Sequence, residues 1–129
     1  MIEVKHLHKS YDSLKVLNDI NLTVNKGEVV SIVGASGAGK TTLLQIIGTL
    51  DRADSGQVII DGQDVTKLND KQLSRFRNHH IGFVFQFHNL LPEFTALENV
   101  CMPALIKGIG MVEAKEEAMK LLRFLNIEA

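Results

Sequence analysis

The sequence predicts an α/β fold in which a buried strand leads through a glycine-rich loop into an amphipathic helix. Residues 29–33 form a near-continuous β-branched run, as expected of a strand buried on both faces in a parallel sheet. Beyond the loop, apolar residues fall at i, i+3, i+4 and i+7, which predicts a helix that starts at Lys40. These apolar residues are Leu43, Ile46, Ile47 and Leu50.

The composition is that of one globular domain in a reducing compartment. Its 129 residues suffice for a single core, and 14 Lys+Arg against 15 Asp+Glu give a net charge of −1, which argues against nucleic acid as a partner. Cys101 is the only cysteine, so an intramolecular disulfide is excluded. No apolar run reaches the ~18–20 residues of a membrane span, and the first residues are too polar for a secretion signal. We therefore expect a cytoplasmic location.

Four other segments are predicted to be strands. Residues 2–9 and 16–24 contain alternating apolar and polar residues, which is typical of half-buried strands. Residues 58–60 are followed by an Asp-Gly pair, a strong hairpin signal. Residues 81–85 form a second continuous apolar run. The Asp-Ser-Gly stretch at 54–56 is expected to break the helix that starts at Lys40.

Two capping boxes and one proline delimit the remaining helices. Asn69 with Gln72, and Thr95 with Glu98, have the spacing at which side chains cap a helix N-terminus. Pro103 is expected to limit or kink the helix that starts after Thr95. The start of the last helix and its apolar face are predicted at Glu113, Ala118, Leu121, Leu122 and Leu125.

The glycine-rich loop predicts a phosphate site. Residues 34–41 fit G-x-x-x-x-G-K-[ST], a pattern expected by chance only about 0.004 times in a chain this long when Gly is taken at ~7%. The glycines let backbone N–H groups point at phosphate oxygens, and the following helix adds the positive end of its dipole. Lys40 would reach the β- and γ-phosphates, the Thr41 hydroxyl would bind Mg²⁺, and Thr42 would contact the α-phosphate.

Tyr11, this loop and Gln86, in that order, resemble the nucleotide-binding subunit of an ATP-binding-cassette (ABC) transporter. The resemblance implies an ABC-type P-loop NTPase core with an N-terminal antiparallel β subdomain. Residues 1–86 would hold that subdomain with the Walker-A part of the core, and residues 87–129 the Q-loop and the start of a helical subdomain. Tyr11 would stack on adenine, and Gln86 and Thr41 would hold Mg²⁺. The implied ATP-binding set is Tyr11, Val16, Gly34, Ala35, Ser36, Gly37, Ala38, Gly39, Lys40, Thr41, Thr42 and Gln86.

Two stretches narrow the resemblance to one subgroup. Residues 48–51 and 85–100 look like the ATPases that drive bacterial lipoprotein release and macrolide-type export. That subgroup implies transmembrane permease partners, a homodimer that sandwiches ATP, and a place on the cytoplasmic face of the inner membrane. Phe87, Leu90 and Leu91 would receive a helix of the permease; the alternative is that they belong to the hydrophobic core.

Three other patterns are set aside. The apolar run that ends at Asp61 imitates an Mg²⁺-binding strand, but Asp-Gly is a hairpin turn and no glutamate follows it. His6 and His8 share a strand face without further ligands at zinc spacing. Residues 25–28 imitate a guanine-recognition element but lack its aspartate, which disfavours a GTPase.

Several elements of the family pattern do not occur between Gln86 and Ala129. These are the L-S-G-G-Q signature, the aspartate-ended strand, the catalytic glutamate and the switch histidine. The resemblance therefore implies an N-terminal portion, truncated within the helical subdomain, that holds no catalytic residue and is inactive alone. Strands 29–33 and 81–85 would lack their intervening neighbours, so we expect swapping or β-pairing between copies. A soluble ABC-type ATPase without a membrane partner and a non-hydrolysing nucleotide-binding module stay open as alternatives.

Overall fold

The computed structural model describes residues 1–35, 37, 39–87 and 89–127. The chain divides into two compact units, Met1–Arg77 and Asn78–Ala129. The first unit contains all the strands found among the described residues, together with a helix over residues 40–47, a 3₁₀ turn over residues 65–67 and most of the helix that begins at Asp70. The second unit is helical. Each unit is described by itself below.

The first unit is built on a four-stranded antiparallel sheet. Strand β1 is Ile2–Tyr11, β2 is Leu14–Val24, β3 is Ser55–Ile60 and β4 is Gln63–Asp64, in the order β2-β1-β3-β4. This confirms the antiparallel subdomain. Its buried side chains come from alternating positions of neighbouring strands, since successive residues of a strand face opposite sides. They are Val4, Leu7, Leu17, Val58 and Ile60.

The pairing of β1 is interrupted by a bulge at His6. His6 has a φ of +50°, and the register of β1 shifts between Val4 and Leu7 against β2. On the other side, Gly56 of β3 has a φ of +99°, and a Cβ built there would lie 2.4 Å from the His6 carbonyl oxygen. Residues 55 and 56 are part of β3, and the helix that starts at Lys40 has ended before them, as the Asp-Ser-Gly stretch predicts. The bulge in β1 is accommodated because the backbone of β3 at Gly56 lies close to the backbone at His6. The two residues are far apart in sequence, so no local turn pattern predicts this contact.

Four α-helices follow in chain order. They are α1 Lys40–Ile47, α2 Asp70–His80, α3 Ala96–Lys107 and α4 Met111–Phe124, and a 3₁₀ turn spans Val65–Lys67. Both capping boxes are confirmed by reciprocal hydrogen bonds, in which the backbone N–H of each residue donates to the side-chain oxygen of the other. The two distances are 2.9 and 3.0 Å between Asn69 and Gln72, and 3.1 and 3.2 Å between Thr95 and Glu98. The hairpin turn is also confirmed, with Asp61 at φ +48° and the next residue at +83°.

Three helix expectations need correction. Helix α1 stops at Ile47, before Leu50, because Gly48 forms its C-cap. Helix α3 continues through Pro103 to Lys107, so of the two effects expected of this proline the end of the helix is wrong. Helix α4 begins at Met111 rather than Glu113, and of its predicted apolar face Ala118 is buried while Leu121 and the C-cap residue Leu125 are exposed.

Residues 29–33 and 81–85 do not form the predicted strands. Both segments lack strand pairing in the structure, and Val29 is 94% exposed. A strand needs a neighbour to accept and donate its ladder hydrogen bonds. The described residues contain no such neighbour for either segment. The apolar pattern therefore shows that these residues are suited to a buried strand, but the strand that would pair with them is not among the described residues.

The second unit has a small core of its own. Cys101 of α3 and Ala114 and Ala118 of α4 are buried together, and half-buried apolar side chains surround them. The amide of Asn78 donates to the Pro103 carbonyl at 3.1 Å and ties the start of this unit to α3.

Candidate functional site

The phosphate loop approaches α1 through two glycines in the left-handed region. Gly37 has a φ of +82° and Gly39 a φ of +92°, values at which a Cβ is strained. Of the predicted loop residues, Ser36 and Ala38 lie outside the described residues. The two glycines let the backbone turn sharply where the sequence motif requires it.

Gly39 also fits a confined space. A Cβ built on it would lie 3.0 Å from both Cγ1 and the carbonyl oxygen of Val16, and 3.1 Å from Leu17 Cδ2. The start of α1 therefore packs directly on β2, and only a residue without a side chain fits without displacing Val16. This contact places Val16, a predicted site residue, beneath the end of the loop.

The first turn of α1 is open to an anion. Gly39 is the N-cap and offers no side-chain acceptor to the first amides. Amides of a first helical turn have no intrahelical partner, so they bind phosphate well. The Lys40 ammonium donates to the Gly34 carbonyl, which brings this cation back across the loop. Thr41 is exposed and Thr42 is half-buried in the same turn. The arrangement can hold a polyphosphate and supply a hydroxyl to a divalent cation.

Tyr11 lies at the end of β1 and is 45% exposed. Its hydroxyl donates to Asp51 Oδ2 at 3.0 Å. The Lys9 ammonium lies 5.2 Å from the ring centroid. The ring is therefore fixed at its hydroxyl end, with a cation near it and part of its surface open to solvent.

Gln86 belongs to the second unit and is exposed. The apolar side chains that follow it are exposed too: Phe87 is 75% and Leu90 is 61% exposed, and Leu91 is above a third. Within the described residues they are not core, which was the alternative reading of this segment. They form an apolar surface next to Gln86, called here the Q-loop surface (Phe87, Leu90 and Leu91).

A single amide holds the end of that surface. Asn99 Oδ1 accepts from the Leu91 amide at 2.8 Å. Its Nδ2 donates to the carbonyls of Leu91, Phe94 and Thr95 at 3.1, 3.3 and 2.9 Å. Because Asn99 is in α3, these bonds attach the loop to the first turns of that helix.

His6 and Asp61, from two of the patterns set aside on sequence grounds, each contact another group of the first unit. His6 is turned out by its bulge and pairs with Asp19 at 2.7 Å, a hydrogen bond that lowers the pKa of the Asp19 carboxyl. The described part of the chain contains no group of three or more possible metal ligands among His, Cys, Asp and Glu. Asp61 sits in the hairpin and binds the N-terminal ammonium at 2.8 Å. Among the helices described, none has the length and apolarity to span a bilayer.

Comparison with known proteins decides the family. A family model described as ABC transporter matches residues 17–129. The chain belongs to this ABC transporter family. The lipoprotein-releasing system ATP-binding protein LolD of Bacteroides thetaiotaomicron is 61% identical over 127 residues, 98% of this chain and 58% of that protein. The protein of the same name from Porphyromonas gingivalis is 58% identical over 98% of this chain and 58% of its own length.

Solved structures agree with the family. An ATP-binding cassette solved as a dimer in a post-hydrolysis state, bound to ADP and Pi, matches with a TM-score of 0.90 at 39% identity. A dimeric bacterial ABC transporter cassette also matches at 0.90, with 40% identity. Each match covers 99% of this chain and 58% of the other. The predicted fold class is thus confirmed, and this ABC transporter chain spans somewhat under three fifths of the length of these relatives.

Three residues of this ABC transporter chain that the sequence did not single out contact the predicted site residue Tyr11 or the Q-loop surface. Lys9 and Asp51 contact Tyr11, and Asn99 holds the Q-loop surface. Lys9 is two positions from Tyr11, so it lies on the same side of a strand, which was an available signal. Asp51 is 40 positions away from Tyr11, and no local pattern connects them.

Proposed function

We propose that the chain binds Mg²⁺–ATP through residues 34–42 and is the Walker-A part of the ATP-binding subunit of an ABC exporter. The observation that carries this proposal is the glycine loop that delivers Lys40 and the uncapped first turn of α1 to one place. Membership of the ABC transporter family supports nucleotide binding. The relatives named for lipoprotein release support that process as the work of the complete subunit.

The residues fit the proposed ligand by their chemistry. Backbone amides and Lys40 match the negative charge of a triphosphate, and the exposed Thr41 hydroxyl is a hard oxygen ligand suited to Mg²⁺. When bound, Mg²⁺ would neutralise phosphate charge. Gln86 is proposed as a second Mg²⁺ contact, and Tyr11 as the platform for adenine, since a base stacked on an aromatic ring gains ~1–3 kcal/mol.

The proposed partners are permease subunits at the Q-loop surface and a second ATPase subunit of the same kind. An exposed apolar surface held by a polar clamp suits a protein partner better than solvent does. The dimeric state of the two solved relatives supports the second partner. The subunit would then act at the cytoplasmic face of the inner membrane.

Nucleotide binding is tested by thermal unfolding with and without Mg²⁺–ATP. A ligand at 100 times its Kd stabilises the folded state by about 2.7 kcal/mol, which raises Tm measurably. Lys40→Ala is expected to abolish this rise. Lys26→Ala removes the same charge from an exposed turn and should keep it. An undiminished rise in Lys40→Ala would contradict the role of the loop. We expect no multiple turnover of ATP by the chain, because the catalytic elements of the family are absent from its sequence.

Membrane partnership is tested by retention of permease subunits from detergent-solubilised bacterial membranes on the immobilised chain. Leu90→Asp should reduce retention. Leu14→Asp, which places the same charge on an exposed leucine of the first unit, should leave retention unchanged. If the wild-type chain retains no membrane subunit, a cassette ATPase without a membrane partner is favoured instead.

A further inference from the structure

We infer that Asp51 and Lys9 are positioning residues that fix the Tyr11 ring so that a nucleobase stacks on it at a set distance from the phosphate loop. This inference rests on the proposed function, because it needs Tyr11 to be the base platform. It extends that function to two residues outside the loop.

The hydroxyl end of the ring is held by a carboxylate that is itself held. Tyr11 donates to Asp51 Oδ2 at 3.0 Å, while Asp51 Oδ1 accepts from the Arg52 amide at 2.8 Å. Burial alone would raise the pKa of Asp51. The Arg52 amide, then the Tyr11 hydroxyl and the Lys9 ammonium, hold that pKa below its ordinary value. The group is therefore an ionised acceptor at neutral pH.

Lys9 completes the network. Its ammonium donates to the Arg52 carbonyl at 2.7 Å and lies 3.5 Å from Asp51 Oδ1, and the side chain is only 13% exposed. From there it reaches to 5.2 Å from the Tyr11 ring centroid, within the range of a cation–π contact. A cation held near the ring in this way limits the space for a base to the part of the ring that remains exposed.

The network is connected to the phosphate loop through α1. The amides of Leu50 and Asp51 both donate to the Gln45 carbonyl, at 2.8 and 3.3 Å. Asp51 is thus attached to the end of the helix whose first turn forms the anion site. The ring at one end and the loop at the other are joined by a hydrogen-bonded path, which sets the distance between base and phosphates. Such a path suits a ligand that occupies both ends at once, an adenine nucleotide rather than inorganic phosphate.

The experiment compares the affinities of Mg²⁺–ATP and Mg²⁺–tripolyphosphate, which has the phosphates and lacks the base. Tyr11→Phe keeps the ring and removes the hydroxyl, and Asp51→Asn weakens the acceptor. Each should weaken ATP binding about three- to tenfold, a part of what a full stack provides, and leave tripolyphosphate binding unchanged. In the double variant the loss of ATP affinity should be smaller than the product of the two single losses, because both substitutions weaken the same hydrogen bond. Asp12→Asn is the matched control, an exposed neighbour whose positive φ of +54° suits asparagine.

The outcomes separate the inference from the function on which it rests. If the wild-type chain binds neither ligand, the proposed function fails. If it binds both but Asp51→Asn weakens both equally or strengthens both, the residue acts through folding or charge and the positioning role is overturned. If Asp51→Asn does not fold, Tyr11→Phe decides alone. Since the chain has one tyrosine and no tryptophan, its emission reports on Tyr11 directly, and Asp51→Asn should change it before any ligand is added.

Discussion

Replacing Gly56 with alanine tests the bulge that joins β1 and β3. A Cβ at this position would lie 2.4 Å from the His6 carbonyl oxygen, 2.7 Å from the His6 carbonyl carbon and 2.8 Å from Leu7 Cα. All three atoms are backbone, so none can rotate away. The left-handed φ costs ~1–2 kcal/mol for a residue with a Cβ, and overpacking of this kind adds ~1–3 kcal/mol. We expect Gly56→Ala to lower the free energy of unfolding by about 2–5 kcal/mol.

Gly62→Ala is the matched control for this effect. Gly62 has a φ of +83°, close to that of Gly56, but a Cβ there would meet nothing within 4 Å. It should therefore lose only the ~1–2 kcal/mol of backbone strain. Urea unfolding followed by the emission of Tyr11 measures both variants, because that residue belongs to the first unit. Equal losses in the two alanine variants would refute the close approach of β3 to the bulge.

Further predictions concern the second unit. The hydrogen bond from the Thr95 amide, and next that from its hydroxyl, hold the pKa of Glu98 below its ordinary value. The ionised Glu98 side chain therefore stabilises the unit above the unfolded-state pKa, and this stabilisation is lost as pH falls through the lower folded-state pKa. Glu98→Gln should flatten this acid-side loss of helical circular dichroism, and an unaltered titration would contradict it. Asn99→Leu should speed hydrogen exchange at the Leu91 amide while the interior of α3 stays protected, whereas unchanged exchange would exclude the clamp. Cys101→Ser should destabilise the unit by ~1–3 kcal/mol, more than Cys101→Ala, because a buried hydroxyl without a partner is added; the two melting curves decide it.

The sequence predicted what local chemistry determines. The capping pairs at Asn69 and Thr95 were identified because donor and acceptor are three residues apart and need no other part of the chain. The phosphate loop was predicted for the same reason, since the glycines, Lys40 and Thr41 are contiguous. The strand predicted at residues 29–33 is wrong because a strand needs a paired neighbour, which the residues of the strand itself do not encode.

The details of the site that were missed depend on distant contacts. Asp51 contacts Tyr11 only because β1 and the segment after α1 come together in the fold. From the sequence, Gly56 was predicted only to help break a helix, whereas in the fold it is constrained by the proximity of the His6 backbone. The sequence shows that position 56 is a glycine, but it does not show which distant backbone segment lies so close that a Cβ would be excluded there.

The small core of the second unit has a consequence for how this part of the chain moves. Cys101, Ala114 and Ala118 let α3 and α4 approach closely, yet each removes little apolar area from water. We expect a helix pair joined in this way to have a lower free energy of opening than one built on large buried side chains. If the proposed permease subunit binds the Q-loop surface, which Asn99 attaches to α3, binding should be accompanied by a measurable loss of conformational entropy.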